Sequence, residues 1–445
     1  MLCVRFSVQK IVLCCSLMCL LFAGRAFAAM SDIDFIELCE EGSLQQIMEA
    51  IEDGANVNAK DNEGITPLMQ AMLNNSNQKV IMALVKAGAD VNAKDEEGSS
   101  PLMYAVQENT SPAVITALIK AGADVNAKDE DECSPLMYAI QENARPAVIA
   151  ALIKAGADVN AKDKDGFTPL MYALQENSSP AAITSLIDAS ADVNAKNKDG
   201  ITPLMYAAKN DSDLKVITAF IIASADVNAK DKDGFTPLMY ALQENSSPAA
   251  ITSLIDASAD VNAKNKDGIT PLMYAAKNDS DLKVITAFII ASADVNAQDK
   301  NGTSPLMHAV KNNSGLKAIT AFIEASADVN AKDNYGITPL MYAMNVNSTL
   351  AVISTLIKAG ADVNAKDNDG LTPLMYTSKY NANPEVLAAL IKAGADPKAK
   401  DKDGKTALDY VWENKNHKDN ETLKELEELS YTDKEHEAIS LDVFP

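Results

Sequence analysis

The sequence predicts an all-α repeat solenoid, on three observations. The triplet Pro-Leu-Met begins at Pro67, Pro101, Pro135, Pro169, Pro203, Pro237, Pro271, Pro305, Pro339 and Pro373, a constant spacing of 34 residues. Each repeat encodes two short helical patterns. Neither is long enough to be stable alone in water, so neighbouring repeats must stack to bury their apolar faces. Residues 157–229 and 225–297 are identical, so the middle of the array was lengthened as a block of two repeats. A catalytic centre needs particular groups at unique positions, and block duplication is easier to reconcile with an extended surface.

Residues 1–28 have the layout of a secretory signal peptide. Arg5 and Lys10 precede an apolar run from Ile11 to Ala23, no acid occurs before Asp32, and Ala26-Phe27-Ala28 supplies a small-x-small cleavage pattern. The run is too short to span a bilayer comfortably, and no other segment is long and apolar enough to cross one. The alternative is an uncleaved anchor. Cleavage after Ala28 places the mature chain in the periplasm or outside the cell. It also removes Cys3, Cys14, Cys15 and Cys19. Cys39 and Cys133 then remain nearly three repeats apart, too far for a disulfide, so two reduced thiols are expected.

Residues 31–66 read as an N-terminal capping repeat, opened by Phe35-Ile36-Glu37-Leu38. Residues 67–400 hold ten repeats of 34 residues, and 401–430 a C-terminal capping repeat that continues the register at Thr406-Ala407-Leu408-Asp409-Tyr410. Asp419 or Asn420 can cap a closing helix with Leu423, Leu426 and Leu429 on one side and acids around them. Residues 431–445 form a flexible acidic tail.

One repeat shows the grammar. Thr168 is the expected N-cap of a first helix and Pro169 its first residue, where a missing N–H costs nothing. Leu170, Ala173 and Leu174 line one face. Asn177 follows the helix end, where a left-handed residue is tolerable. Ser179-Pro180 starts a second helix with Ile183, Leu186 and Ile187 as its apolar stripe. The stretch Asp192-Val193-Asn194-Ala195-Lys196 is expected to leave in extended form, and Asp199-Gly200 supplies a turn into the next repeat.

The pattern Asp61-x-x-Gly64-x-Thr66-Pro67-Leu68-x-x-Ala71, followed by Ala87-Gly88-Ala89-Asp90-Val91-Asn92-Ala93, resembles the ankyrin repeat. The resemblance covers repeats two to eleven closely and the two ends loosely. It implies helix pairs with projecting β-hairpin loops, whose inner helices and hairpin tips form a concave groove that binds other proteins. It also implies an array that is not by itself an enzyme. The sequence departs from the family in three ways. Met stands where the family usually has a His that hydrogen-bonds backbone, and it is expected to fill space without replacing that bond. One extra residue falls between the helices. The Gly ending the second helix becomes Ser at Ser190, Ser224, Ser258, Ser292 and Ser326, at a cost of about 1 kcal/mol each in a left-handed conformation. The middle of the array is therefore expected to be softer than its flanks.

Composition narrows the partners. The 445 residues carry 62 acids against 39 Lys and Arg, a net charge of −23, which disfavours nucleic acid and anionic membranes. A single Trp and 5% aromatic content disfavour a base-stacking platform. His308, His417 and His436 have no metal spacing, and no nucleophile elbow, phosphate loop or dinucleotide fingerprint occurs. No catalytic residue, metal or cofactor is expected. The hairpin tips, such as Asp163 to Gly166, resemble part of a calcium loop but lack its twelfth-position acid; solvated turn acids are the expectation.

Two lines of side chains are candidates for partner binding. Tyr104, Tyr138, Tyr172, Tyr206, Tyr240 and Tyr274 recur three residues after the triplet Pro. They either anchor a partner or fill space between helices with their hydroxyls in water. Phe167, Ile201, Phe235 and Ile269 lie two residues before the Pro, at the base of the expected hairpin, and are either an interaction stripe or buried between hairpins.

The function expected is a monomeric, exported, non-enzymatic scaffold for an unidentified protein partner with basic or extended segments. The alternatives are an exported effector that captures a host protein, a passive spacer, and an enzyme.

Overall fold

A computed structural model describes residues 30–413, apart from 74–76, 109–110, 177, 211–213, 245, 279–280, 347 and 381–383, together with residue 428. The expected signal peptide and acidic tail lie outside the described residues, as does all of the expected closing helix except Glu428. Among the described residues the chain forms twenty-three α-helices and no strand. They fall into two compact bodies, one ending at Ala225 and one beginning at Asp226. Within each body, successive first helices pack on one another, and all those before Ala407–Glu413 also pack on the second helix of their own repeat, the arrangement of a repeat solenoid.

The first helices have seven residues in most repeats, as in Pro169–Gln175, and the second have nine, as in Pro180–Asp188. Both lengths are well below what an isolated helix needs. The Thr168 side chain accepts a hydrogen bond from the Met171 amide at 3.3 Å, and Ser179 accepts from Ala182, so both expected N-caps form. Asn177 lies outside the described residues, but Asn143 and Asn313 occupy the same register position with φ of 50° and 56°.

The one-sided pattern expected for the first helix is not what forms. Pro169, Leu170, Met171, Tyr172, Ala173 and Leu174 are all buried. The helix is flanked by first helices before and behind and covered by its own second helix, so no face is left for water. The second helix is amphipathic as expected, with Ile183 and Leu186 buried and Thr184 and Asp188 exposed. Each fully buried Leu contributes about 1.5–3 kcal/mol, and none of it is available until a neighbour is in place.

After the second helix the chain turns left-handed. Ser190, Ser224, Ser258, Ser292 and Ser326 hold φ between 62° and 68°, where other repeats have Gly. The next segment is not extended. Val193 and Asn194 form a turn in which Asp192 accepts from the Asn194 amide at 2.9 Å.

The projecting loops are tight turns rather than strand pairs. Asp163 N–H donates to the Phe167 carbonyl and Gly166 N–H to the Asp163 carbonyl. Within each body successive tips are bonded in series, as Lys164 N–H is to the Asp131 carbonyl at 3.0 Å and Lys266 N–H to the Asp233 carbonyl at 2.8 Å.

Cys39 and Cys133 are both buried. Burial pushes the Cys39 thiol up to about 12. Cys133 is disulfide-bonded, against the expectation of two thiols.

Candidate functional site

The first Asp of each tip organises the candidate surface. In Asp163 one carboxylate oxygen accepts the amides of Asp165 and Phe167 at 2.9 and 2.8 Å. The other accepts the Tyr172 hydroxyl at 2.6 Å. The same hydroxyl bond joins Tyr104 to Asp95, Tyr138 to Asp129, Tyr240 to Asp231, Tyr342 to Asp333 and Tyr376 to Asp367. Where the tip begins with Asn, the sense reverses: Asn197 donates to the Tyr206 hydroxyl at 3.2 Å and Asn265 to that of Tyr274 at 3.3 Å. His308 replaces Tyr in one repeat and bonds Asp299 at 3.1 Å.

These bonds correct two expectations. The Tyr hydroxyls are not in water; each ties its helix to the tip above it. Nor is the first tip acid a solvated turn residue, since Asp163 is 9% exposed and both its oxygens are engaged. Burial, and then the Asp163 bond, raises the Tyr172 pKa. Tyr206, with Asn as partner, is pushed up to about 12, chiefly by burial and then by the Asp199 charge.

Of the expected Tyr line, Tyr172, Tyr206 and Tyr274 are buried, while Tyr104, Tyr138 and Tyr240 are half-buried. Phe167, Ile201, Phe235 and Ile269 are half-buried too. The Phe167 ring lies 5.5 Å from Tyr172 and 5.6 Å from Tyr206 of the next repeat. Phe235 sits likewise between Tyr240 and Tyr274, at 5.4 and 5.8 Å. These tilted contacts are those that aromatic rings favour. The structure thus places each Phe between the Tyr of its own repeat and that of the next, half-buried.

Two further lines were not read from the sequence. The Asn160 amide donates to the Ser190 carbonyl at 3.2 Å, and its oxygen accepts from the Asp192 amide at 2.7 Å. Asn58, Asn92 and Asn126 make the same pair of bonds in the first body, as do Asn228, Asn262, Asn296, Asn330 and Asn364 in the second. Lys60 and Lys94 each donate to the carbonyl of the Lys one repeat later, both at 2.7 Å. The signal was present in the recurring Asn-Ala-Lys, but only the stacked geometry shows what each group reaches.

Family models described as ankyrin repeats (3 copies) match residues 35–129, 102–197, 136–231, 176–265, 204–299, 244–333 and 272–367. A further model, ankyrin repeats (many copies), matches residues 356–411. The chain belongs to the ankyrin repeat family. No curated protein matches it. Ankyrin repeats are generally protein–protein interaction modules, and proteins built of them are typically non-enzymatic scaffolds.

Within that family the Met substitution is less disruptive than expected. The Met103 sulfur lies 3.3 Å from the Ser100 amide, and the sulfurs of Met137, Met205 and Met273 sit similarly. A thioether is a weak acceptor, so part of the lost bond is recovered. No group of three His, Cys, Asp or Glu side chains converges as a metal site among the described residues. No described helix is long and apolar enough to cross a membrane.

Proposed function

We propose that this chain is an exported scaffold that holds a protein partner along the side of its ankyrin repeats from which the turns project. The observation that carries the reading is the state of Phe167 and Phe235. Each is a half-buried aromatic ring in contact with the tyrosines of its own repeat and the next. The tyrosines beneath are fixed by the tip Asp or Asn, so the apolar contact stands on a rigid base and loses little side-chain freedom on binding. Ile201 and Ile269 continue the contact in the following repeats.

The net charge of −23 supports a partner with basic or extended segments. The apolar leader of residues 11–23 supports export to the periplasm or beyond. Fractionation distinguishes a local partner, with the chain retained in the envelope, from an effector, with the chain recovered in a host cell.

The test is affinity capture with the chain from Ala29 onward, followed by mass spectrometry. One control lacks a single 68-residue copy, and a second carries Phe167→Ala and Phe235→Ala. The expected result is a protein whose recovery falls in both controls and falls as salt rises. Recovery unchanged by the two Phe substitutions counts against this surface.

A further inference from the structure

The second helices of the first two repeats, Leu44–Glu52 and Gln78–Lys86, pack side by side and leave an open groove of about 840 Å³ between them. That is room for several side chains of a partner. Leu44, Met48 and Ile51 line one wall at helical spacing, and Met82 lies on the other. Met48 is 45% exposed, and Leu44, Ile51 and Met82 are half-buried.

The apolar walls are peculiar to this end of the array. Met48 and Met82 are each the fifth residue of their helix. In the nine other described second helices the fifth residue is Thr, Ser or Ala. A Thr hydroxyl there turns back onto its own helix, as Thr116 donates to the Pro112 carbonyl at 2.7 Å and Thr320 to that of Leu316 at 2.8 Å. The repeat thus has a polar solution for this outward position, and the first two repeats do not use it. An exposed Met gains nothing from water, whereas on a groove wall it adapts to an apolar partner surface.

Charge selects the occupant. Lys79 and Lys86 flank Met82 on the same wall, seven residues and so about 10.5 Å apart along the helix. The lining holds these two cations and one acid, Glu52, on a chain whose net charge is −23. Residues 1–29 carry Arg5, Lys10 and Arg25 and no acid, so they would set like charge against the lysines. A second copy meeting groove to groove would face the same two lysines.

We infer that this groove receives an amphipathic helix of a partner protein, with apolar side chains on one face and acids on its flank. A helix offers apolar groups at the three- and four-residue spacing of the two walls. It can also place acids seven residues apart to meet Lys79 and Lys86. The site does not involve Phe167 or Phe235, and it takes an acidic partner rather than a basic one.

The test is fluorescence anisotropy with the full chain and labelled helical peptides of about 18 residues. One carries leucines on one face flanked by glutamates, the second has lysines for the glutamates, and the third is a scramble of the first. The glutamate peptide is expected to bind about ten-fold more tightly than the other two, and to weaken as salt rises. Met48→Thr with Met82→Thr installs the residue that most other repeats fold with at this position, and should weaken binding about ten-fold. Lys79→Glu with Lys86→Glu should do the same, and Phe167→Ala with Phe235→Ala should leave binding unchanged. Four results would overturn the inference: a glutamate peptide that binds no more tightly than the other two, binding that survives both Met substitutions, binding lost in the Phe variant, or a dimer in sedimentation that the Met substitutions dissociate.

Discussion

The Tyr172 hydroxyl donates to one oxygen of Asp163 at 2.6 Å, and the other oxygen of that carboxylate holds the amide of Phe167. One acid thus joins the helix, the turn and the half-buried ring of the candidate surface. Hydrogen bonds to charged groups contribute about 1.5–3 kcal/mol each, so Asp163→Ala is expected to lower stability by about 3 kcal/mol. Asp163→Asn should cost about 1 kcal/mol or less, because Asn197 already holds the same kind of turn and bonds Tyr206. Urea unfolding of the two variants checks the order; equal losses would show that the carboxylate is replaceable by nothing at its site.

The five left-handed serines make a second prediction. An added Cβ at the corresponding Gly88, Gly122, Gly156, Gly360 or Gly394 meets nothing within 4 Å. The cost of Ser there is therefore conformational alone. Ser190→Gly is expected to gain about 1 kcal/mol, and the same change at Ser224, Ser258, Ser292 and Ser326 about the same each. Hydrogen exchange should show repeats five to nine opening more readily than their flanks, and the difference should close in the five-fold variant. Stronger protection of repeats five to nine in the natural chain would contradict this.

The tip glycines behave differently. At Gly166, φ is +82° and an added Cβ lies 3.1 Å from the Asn197 Cα of the next tip. Gly166→Ala should therefore destabilise by clearly more than the roughly 1 kcal/mol of Gly156→Ala. The natural exception points the same way: Glu132 occupies a tip-glycine position at φ 62°. Glu132→Gly is expected to raise the urea midpoint.

His308 predicts a pH response. Burial lowers its pKa below 6.5, and the Asp299 bond only partly opposes this. The unfolded chain therefore takes up the proton more readily than the folded one. This contribution to stability is intact above pH 6.5 and is lost as the pH falls through the folded-state value. His308→Tyr, which restores the residue of the neighbouring repeats, should remove that part of the acid sensitivity. The comparison is the difference in urea midpoint between the two proteins at pH 7.5 and 5; the same acid loss in both would refute the assignment.

Much of this was legible in the chain. The 34-residue period placed both helices, because Thr168-Pro169 and Ser179-Pro180 mark starts locally. The left-handed Ser190 was legible because it takes the place of a Gly. The Tyr172–Asp163 bond was missed although the nine-residue spacing recurs in every repeat from Asp95 to Tyr410. A period shows that two residues recur together and says nothing of whether their side chains point at each other. The Asn160 and Lys60 bonds span 30 to 34 residues, beyond any local rule.

By itself the sequence determined the repeat, its two helices, the caps and the acidic character, since these depend on residue type and on neighbours a few positions away. Only tertiary structure decided that the first helix is buried all round, that the tip acid is bonded rather than solvated, and that Phe167 and Phe235 are half-buried between successive tyrosines. Those outcomes depend on which groups from successive repeats come within about 3 Å for hydrogen bonding or about 6 Å for ring contact once the layers are stacked.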